Sequence, residues 1–314
     1  MSSEKRPLII IAGPTAVGKT ESSLKLAEAV NGEIVSADSM QVYRYMDIGS
    51  AKIRKEEMRG IPHHLIDVLD PREPYNVTLF QQMAYDAMEG IYQRGHVPVL
   101  TGGTGFYIQA VLYAIDFTEN DGDDSYRKEL ERKAASEGGN VLYEQLQKED
   151  PEAAEAIGPF NTKRIIRALE FKKQTGMKIS EHNEKERGKE SPFDFEYYVL
   201  TREREELYSR IEQRVDLMME QGLLDEVRFL KEYGCRREMT SMQGLGYKQL
   251  MAYLDGECTL PEAVERIKIE TRHFAKRQLT WFRHERQVTE VDLGKEDLYS
   301  VFRDGHLGCS LTTW

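Results

Sequence analysis

Hydrophobic and polar positions alternate along this chain in blocks whose spacing changes twice. Residues 8–12 are a continuous apolar run, and residues 33–36, 64–68 and 97–101 are further short apolar runs closed by Gly, Asp or Pro. Runs of this length read as strands buried on both faces. Residues 20–30 and 76–94 lie between them with apolar positions at helical spacing. Strands alternating with helices predict a parallel sheet covered by helices, with ligands at the carboxyl ends of the strands.

From about Asp116 to Lys189 the pattern becomes charged and helix-favouring, with Gly138-Gly139 and Asp150-Pro151 as breakers and no strand. That stretch predicts a helical insertion. A single late strand at 196–201 and an amphipathic helix at 205–221, stopped at Gly222, return the chain to the sheet. The last long helix starts at a capping box of Thr259 and Glu262, has Pro261 in its first turn and runs to about Glu285. The expected fold is therefore α/β: a core over 1–116 and 196–314, with the insertion at 117–195.

The chemistry begins where the first strand ends. Gly13, Pro14, Thr15, Ala16, Val17, Gly18, Lys19 and Thr20 match GxxxxGK[ST] between a strand and a helix, the setting of a phosphate-binding loop. With ordinary residue usage the pattern arises by chance in about one chain of this length in a hundred. Its amides and helix dipole suit a diphosphate or triphosphate, Lys19 can reach a terminal phosphate, and the Thr20 hydroxyl can hold Mg²⁺. The core is thus of P-loop type. Two further segments follow strands: Asp38-Ser39-Met40-Gln41-Val42-Tyr43, and Gly102-Gly103-Thr104-Gly105-Phe106-Tyr107. Asp38 there can be a Mg²⁺ ligand, a general base or a helix cap.

Composition narrows the class. The 314 residues are 40 % apolar and 31 % charged, enough for a large domain with an insertion. No apolar run approaches bilayer length and MSSEKRP is no signal peptide, so a cytoplasmic protein with no membrane partner is expected. Cys235, Cys258 and Cys309 are far apart, which suggests neither disulfides nor zinc. A net charge of −11 disfavours non-specific nucleic-acid binding by the whole chain. Two local stretches run the other way: seven Lys/Arg against two Glu in 266–286, and six against one in 163–178. Such runs are commonly solvated faces, but two in an acidic chain raise the case for a polyanionic partner. His63 and His64 lack metal or catalytic spacing and read as structural, and Trp281 and Phe282 read as core.

Seven motifs together resemble the tRNA dimethylallyltransferase family, in its short bacterial form: GPTAVGKT at 13–20, DSMQVY at 38–43, HHLID at 63–67, GGTGFY at 102–107, RIIRALE at 164–170, MQGLGYKQ at 242–249 and AKRQLTWFR at 275–283. The resemblance implies transfer of a dimethylallyl group from dimethylallyl diphosphate to N6 of adenosine 37, beside the anticodon of tRNA, with Mg²⁺ as cofactor. On that reading the P-loop holds a leaving group. Asp38 would be the general base, Thr104 would hydrogen-bond the diphosphate near the breaking bond, and Arg214 would pair with its oxygens. Contacts to the tRNA anticodon arm would come from Asp38, Ser39, Met40, Gln41, Thr104, Arg127, Arg164, Arg167, Gln243, Lys276, Arg277 and Arg283. A monomer without the Cys/His zinc finger of longer members is expected. Three other readings share parts of the pattern: a P-loop kinase for a small metabolite, a prenyltransferase for free adenine nucleotides, and an RNA-binding protein with a relict site. The second leaves the insertion and the basic stretches without a use, and the third is hard to reconcile with an intact Lys19, Thr20 and Asp38.

Overall fold

A computed structural model of the chain describes residues 5–117 and 125–305. It divides into two compact units, Met1–Leu112 with Pro192–Trp314, and Tyr113–Ser191.

The first unit is built on β1 (Arg6–Ala12), α1 (Lys19–Ala29), β2 (Gly32–Ser36), β3 (His63–His64), α2 (Val77–Gln93), β4 (Val97–Gly102) and α3 (Gly105–Leu112). Leu8 to Ala12 are at most 1 % exposed because β1 is central, paired in parallel with β4 on one side. That burial on both faces is why its sequence is unbroken hydrophobe. Asn76 caps α2 by accepting from the Leu79 amide at 2.9 Å.

The second unit holds α4 (Ser125–Glu137), α5 (Gly139–Glu149), α6 (Pro151–Ile157), α7 (Thr162–Thr175) and α8 (Ile179–Arg187). Leu130, Leu142, Leu146, Ile165 and Leu169 form its own core. Asp150 caps α6 and also accepts from the Ser180 hydroxyl at 2.7 Å, pinning α8 to α6.

The chain then re-enters the first unit through β5 (Phe193–Thr201), α9 (Arg204–Glu220), α10 (Leu223–Glu232), α11 (Tyr247–Leu254), α12 (Leu260–Phe282), β6 (Thr289–Asp292) and α13 (Leu298–Gly305). The sheet order is β3-β2-β4-β1-β5-β6, parallel throughout. Thr259 and Glu262 form the capping box that starts α12.

Three expectations needed correction. The run at 64–68 is a strand only over His63–His64, since Leu65 and Asp67 take positive φ (62° and 57°) and turn the chain out of the sheet. The late strand begins three residues earlier than Glu196, because Phe193 to Phe195 pair with Arg6 to Leu8. It is followed by a second late strand, β6, whose sequence Thr-Glu-Val-Asp is polar because it lies at the sheet edge.

Candidate active site

The carboxyl ends of β1, β2 and β4 converge on a cleft of about 440 Å³, open mouth included. Among the side chains lining it are Lys19, Thr20, Ser36, Asp38, Gln41, His63 and Thr101. Parallel strands deliver their following turns to one edge, so motifs distant in sequence meet here.

The loop between β1 and α1 is held from behind. Ala16 takes a left-handed conformation, φ 64°, that costs a non-glycine residue about 1 kcal/mol. Arg210 on α9 donates through Nε to the Ala16 carbonyl at 2.9 Å, and Arg202 to the Val17 carbonyl at 2.8 Å. In front, Lys19 Nζ donates to the carbonyls of Gly13 and Pro14 at 2.9 and 2.8 Å. Burial pushes Lys19 down to about 8, the Arg214 guanidinium adds to the depression, and the Asp38 carboxylate opposes it. Arg214 is itself lowered, by burial first and Arg210 second. Two desolvated cations side by side form an electrostatic environment suited to an anion.

Asp38 follows β2. Its Oδ1 accepts from the amides of Met40 at 2.8 Å and Gln41 at 3.4 Å, so it does cap the turn that follows. No hydrogen bond to Oδ2 occurs among the described residues, and the side chain lines the cleft. Gln41 is fixed by the Ser36 hydroxyl (3.1 Å) and by its own bond to the Ser50 carbonyl (3.3 Å). Met40 lies against Gly244, where an added Cβ would come within 2.8 Å of its sulfur. The 3₁₀ turn Ser241–Gln243 thereby adjoins the Asp38 turn. Gln243 is exposed, with its amide on the Arg237 carbonyl. Thr104 stands between β4 and α3, its carbonyl accepting from Tyr107 and Ile108.

The two basic stretches divide their charges. On α12, Lys268 pairs with Asp216 at 2.6 Å and Arg272 with Glu212, both on α9, so these cations serve the fold. Lys276, Arg277 and Arg283 are exposed, and none has an ion pair among the described residues. In the insertion Arg164 is exposed, while Arg127 (2.6 Å) and Arg167 (3.1 Å) converge on Glu170, which is 1 % exposed. Those two arginines thus hold the insertion together. Phe282 is core at 2 % exposed, but Trp281 is 38 % exposed, contrary to the packing expected of it. It lies at the helix end, with its indole donating to Glu285 at 2.6 Å.

His63 lines the cleft, bonded at Nδ1 to the Ile61 carbonyl (2.8 Å) and lowered by burial. His64 belongs to a separate structural cluster around Glu33, with Arg94 and His96. Cys235 and Cys258 are free thiols, and Cys309 lies outside the described residues. No group of three or more His, Cys, Asp or Glu suited to a metal occurs among the described residues.

Sequence reasoning missed Arg202, Arg210 and Gln278. The spacing of Arg210 and Arg214, four apart on one helix face, was a usable signal. Gln278 gave none: its Oε1 accepts from the Thr15 amide and its Nε2 donates to the Gly103 carbonyl, both at 2.9 Å, contacts across 263 and 175 residues of chain.

Comparison with known proteins gives the family. The IPP transferase family model matches residues 41–285, and an isopentenyl transferase model matches residues 7–69. The chain is 57 % identical to a tRNA dimethylallyltransferase of Lachnoclostridium phytofermentans, covering 94 % of each chain, and 50 % identical to one of Bacillus licheniformis, covering 93 % of each. Among solved structures, a full-length tRNA isopentenylpyrophosphate transferase of Bacillus halodurans superposes with a TM-score of 0.72 at 46 % identity, over 96 % of this chain and 95 % of that one. A eukaryotic dimethylallyltransferase acting on tRNA gives 0.81 at 31 % identity, over 96 % and 78 %.

Proposed function

This chain belongs to the tRNA dimethylallyltransferase family and is a prenyltransferase that modifies tRNA; on that premise we propose how its residues divide the reaction. Dimethylallyl diphosphate donates its five-carbon group to the exocyclic N6 of adenosine 37. The allylic carbon–oxygen bond breaks, its electron pair leaves with diphosphate, and a carbon–nitrogen bond forms. The N6 proton passes to the Asp38 carboxylate.

The observation that carries this reading is the pair of desolvated cations, Lys19 and Arg214, at a loop whose cleft also holds Asp38. The loop amides, Lys19 and Arg214 stabilise charge that grows on the departing diphosphate, and the Thr104 hydroxyl adds a hydrogen bond. An adenine amine is a weak nucleophile, because its lone pair is delocalised into the ring. Removing its proton during attack contributes about 10² to 10⁴ in rate. Asp38 suits this because its turn-capping bonds, through Oδ1, fix the carboxylate in the cleft.

The donor set fits Mg²⁺ shared with the substrate, not a protein cage. Thr20 and Asp38 line the same cleft, and Mg²⁺ characteristically combines one or two protein ligands with phosphate oxygens and water. The Thr20 hydroxyl would hold it, and the ion would neutralise charge on the diphosphate.

Ser39, Met40 and Gln41 stand beside the reacting base, which must leave its stack to reach the cleft. Lys276, Arg277, Arg283, Gln243 and Arg164 grip the anticodon arm. Arg127 and Arg167, which pair with Glu170, contact the same arm.

The test is incubation with Mg²⁺, labelled dimethylallyl diphosphate and unmodified tRNA carrying adenosines beside the anticodon, with AMP, ADP and ATP as competing acceptors. Label at N6 of the tRNA adenosine is the expected result. Label confined to free nucleotides, or none at all, overturns the assignment.

A further inference from the structure

Helix α12 does more than present basic side chains. Gln278 and Trp281 stand three apart near its end, on the side that meets α3 and the phosphate-binding loop, and Glu285 follows three residues past the last helical residue, Phe282. Gln278 is 6 % exposed, and both ends of its amide are bonded, one to Thr15 in the phosphate-binding loop and the other to Gly103 in the turn before α3. The approach is tight: a Cβ on Gly103 would lie 2.2 Å from the Gln278 nitrogen, which is why a glycine stands there. Three residues on, the Trp281 ring occupies the space where a Cβ of Gly105 would be, again within 2.2 Å. Glu285 then accepts from Trp281 Nε1 at 2.6 Å and from Gln109 of α3 at 2.9 Å. The turn carrying Thr104 and the helix α3 after it are therefore held at three points by α12 and the segment that follows it, and of these three side chains Gln278 is the one bonded to the phosphate-binding loop.

We propose that Gln278 is a positioning residue for the transfer: it sets the register between the loop that holds the diphosphate and the turn that holds Thr104. This rests on the function proposed above. The two loops leave different strands, β1 and β4, and the strand pairing ends at Ala12 and Gly102. Beyond that point the Gln278 amide replaces the missing ladder, supplying one acceptor and one donor where backbone would have done so. Its neighbours Lys276 and Arg277 face solvent, so the helix that meets the polyanion also spaces the reacting groups.

The test compares three variants in single-turnover and binding assays. Gln278→Met keeps the size without the hydrogen bonds, and should lower the transfer rate about 10- to 100-fold, as a displacement of about 1 Å does, with tRNA affinity held within about twofold of wild type. Gln278→Ala should lose at least as much. Gln278→Glu keeps the acceptor for Thr15, but its ionised form cannot donate to Gly103. Its rate relative to wild type should therefore climb as pH falls and the carboxyl gains a proton, a response that simple loss of packing does not produce. Protection of the Thr15 amide from hydrogen exchange, read on the protein alone, should drop in Gln278→Met whatever the substrate. Full rate in Gln278→Met, a pH-independent ratio for Gln278→Glu, or unchanged Thr15 protection overturns the proposal. Absence of transfer by the wild-type protein instead overturns the function it rests on, and the exchange measurement still reports on the clamp.

Discussion

Raising the pH from 7 to 9 should weaken dimethylallyl diphosphate binding about tenfold, because the ammonium that meets the ligand is lost in that interval. In the free protein, burial and then Arg214 push Lys19 down to about 8 against the pull of Asp38. A bound diphosphate supplies the missing counter-charge and returns Lys19 towards the ordinary lysine range near 10.4. The protonated fraction of free protein falls from about 0.9 at pH 7 to about 0.1 at pH 9, a tenfold loss worth about 1.4 kcal/mol. The sign follows from proton counts: the complex holds the proton that the free protein has released, so binding takes up about half a proton at pH 8. The ligand's own last proton, as in other phosphate esters, titrates near pH 6 and is about nine-tenths gone by pH 7. Nearby Tyr107 is raised to about 12 and His63 is lowered, so neither titrates between 7 and 9. Calorimetry in two buffers of different ionisation enthalpy reads both affinity and proton uptake. Affinity constant within twofold from pH 7.5 to 9, or no uptake at pH 8, refutes the reasoning. Lys19→Met should bind weakly and without pH dependence. Folding responds oppositely: ligand-free wild type should gain stability as pH rises from about 8 towards 10.5, since the unfolded lysine still holds its proton there.

Asp38→Asn preserves an Oδ1 acceptor for the Met40 amide but cannot take a proton. Single-turnover transfer should fall about 10² to 10⁴ with tRNA affinity intact, and an unchanged rate removes Asp38 from the base role. Changing Lys276, Arg277 and Arg283 to Gln should weaken tRNA binding and reduce its salt slope by about 2, as three lost phosphate contacts require; an unchanged slope makes that helix face merely solvated. Glu33, 1 % exposed, is lowered to about 2 by its bond to Arg94, with His64 and His96 adding to the effect against the cost of burial. Glu33→Ala should cost about 3 kcal/mol at pH 7, the low end for breaking a buried pair, because its partners keep some contact with water. That contribution is present above the ordinary carboxylate range and lost as pH falls towards 2, so denaturant midpoints of variant and wild type should converge in acid.

What the sequence determined by itself was whatever is local. A run such as Leu8 to Ala12 can only be buried, GPTAVGKT encodes its own turn, and the capping box at Thr259 starts a helix without help from elsewhere. The α/β alternation, the run of helices between Ser125 and Arg187 and the turn between β1 and α1 were legible for that reason. The seven separated motifs made the family legible as well, because each is a short string with its own chemistry. Tertiary structure decided everything that depends on which segments become neighbours. β6 was invisible because an edge strand buries too little to demand hydrophobes, and the turn after His64 depends on Leu65 and Asp67 taking conformations that residue type disfavours. Seven cations between Arg266 and Arg286 look alike in the sequence. Only packing against α9 assigns Lys268 and Arg272 to the fold and leaves Lys276, Arg277 and Arg283 in water. Gln278 is the extreme case: an uncharged side chain whose two hydrogen bonds span most of the chain has no local signature, since its role is defined entirely by the backbone groups that folding brings to it.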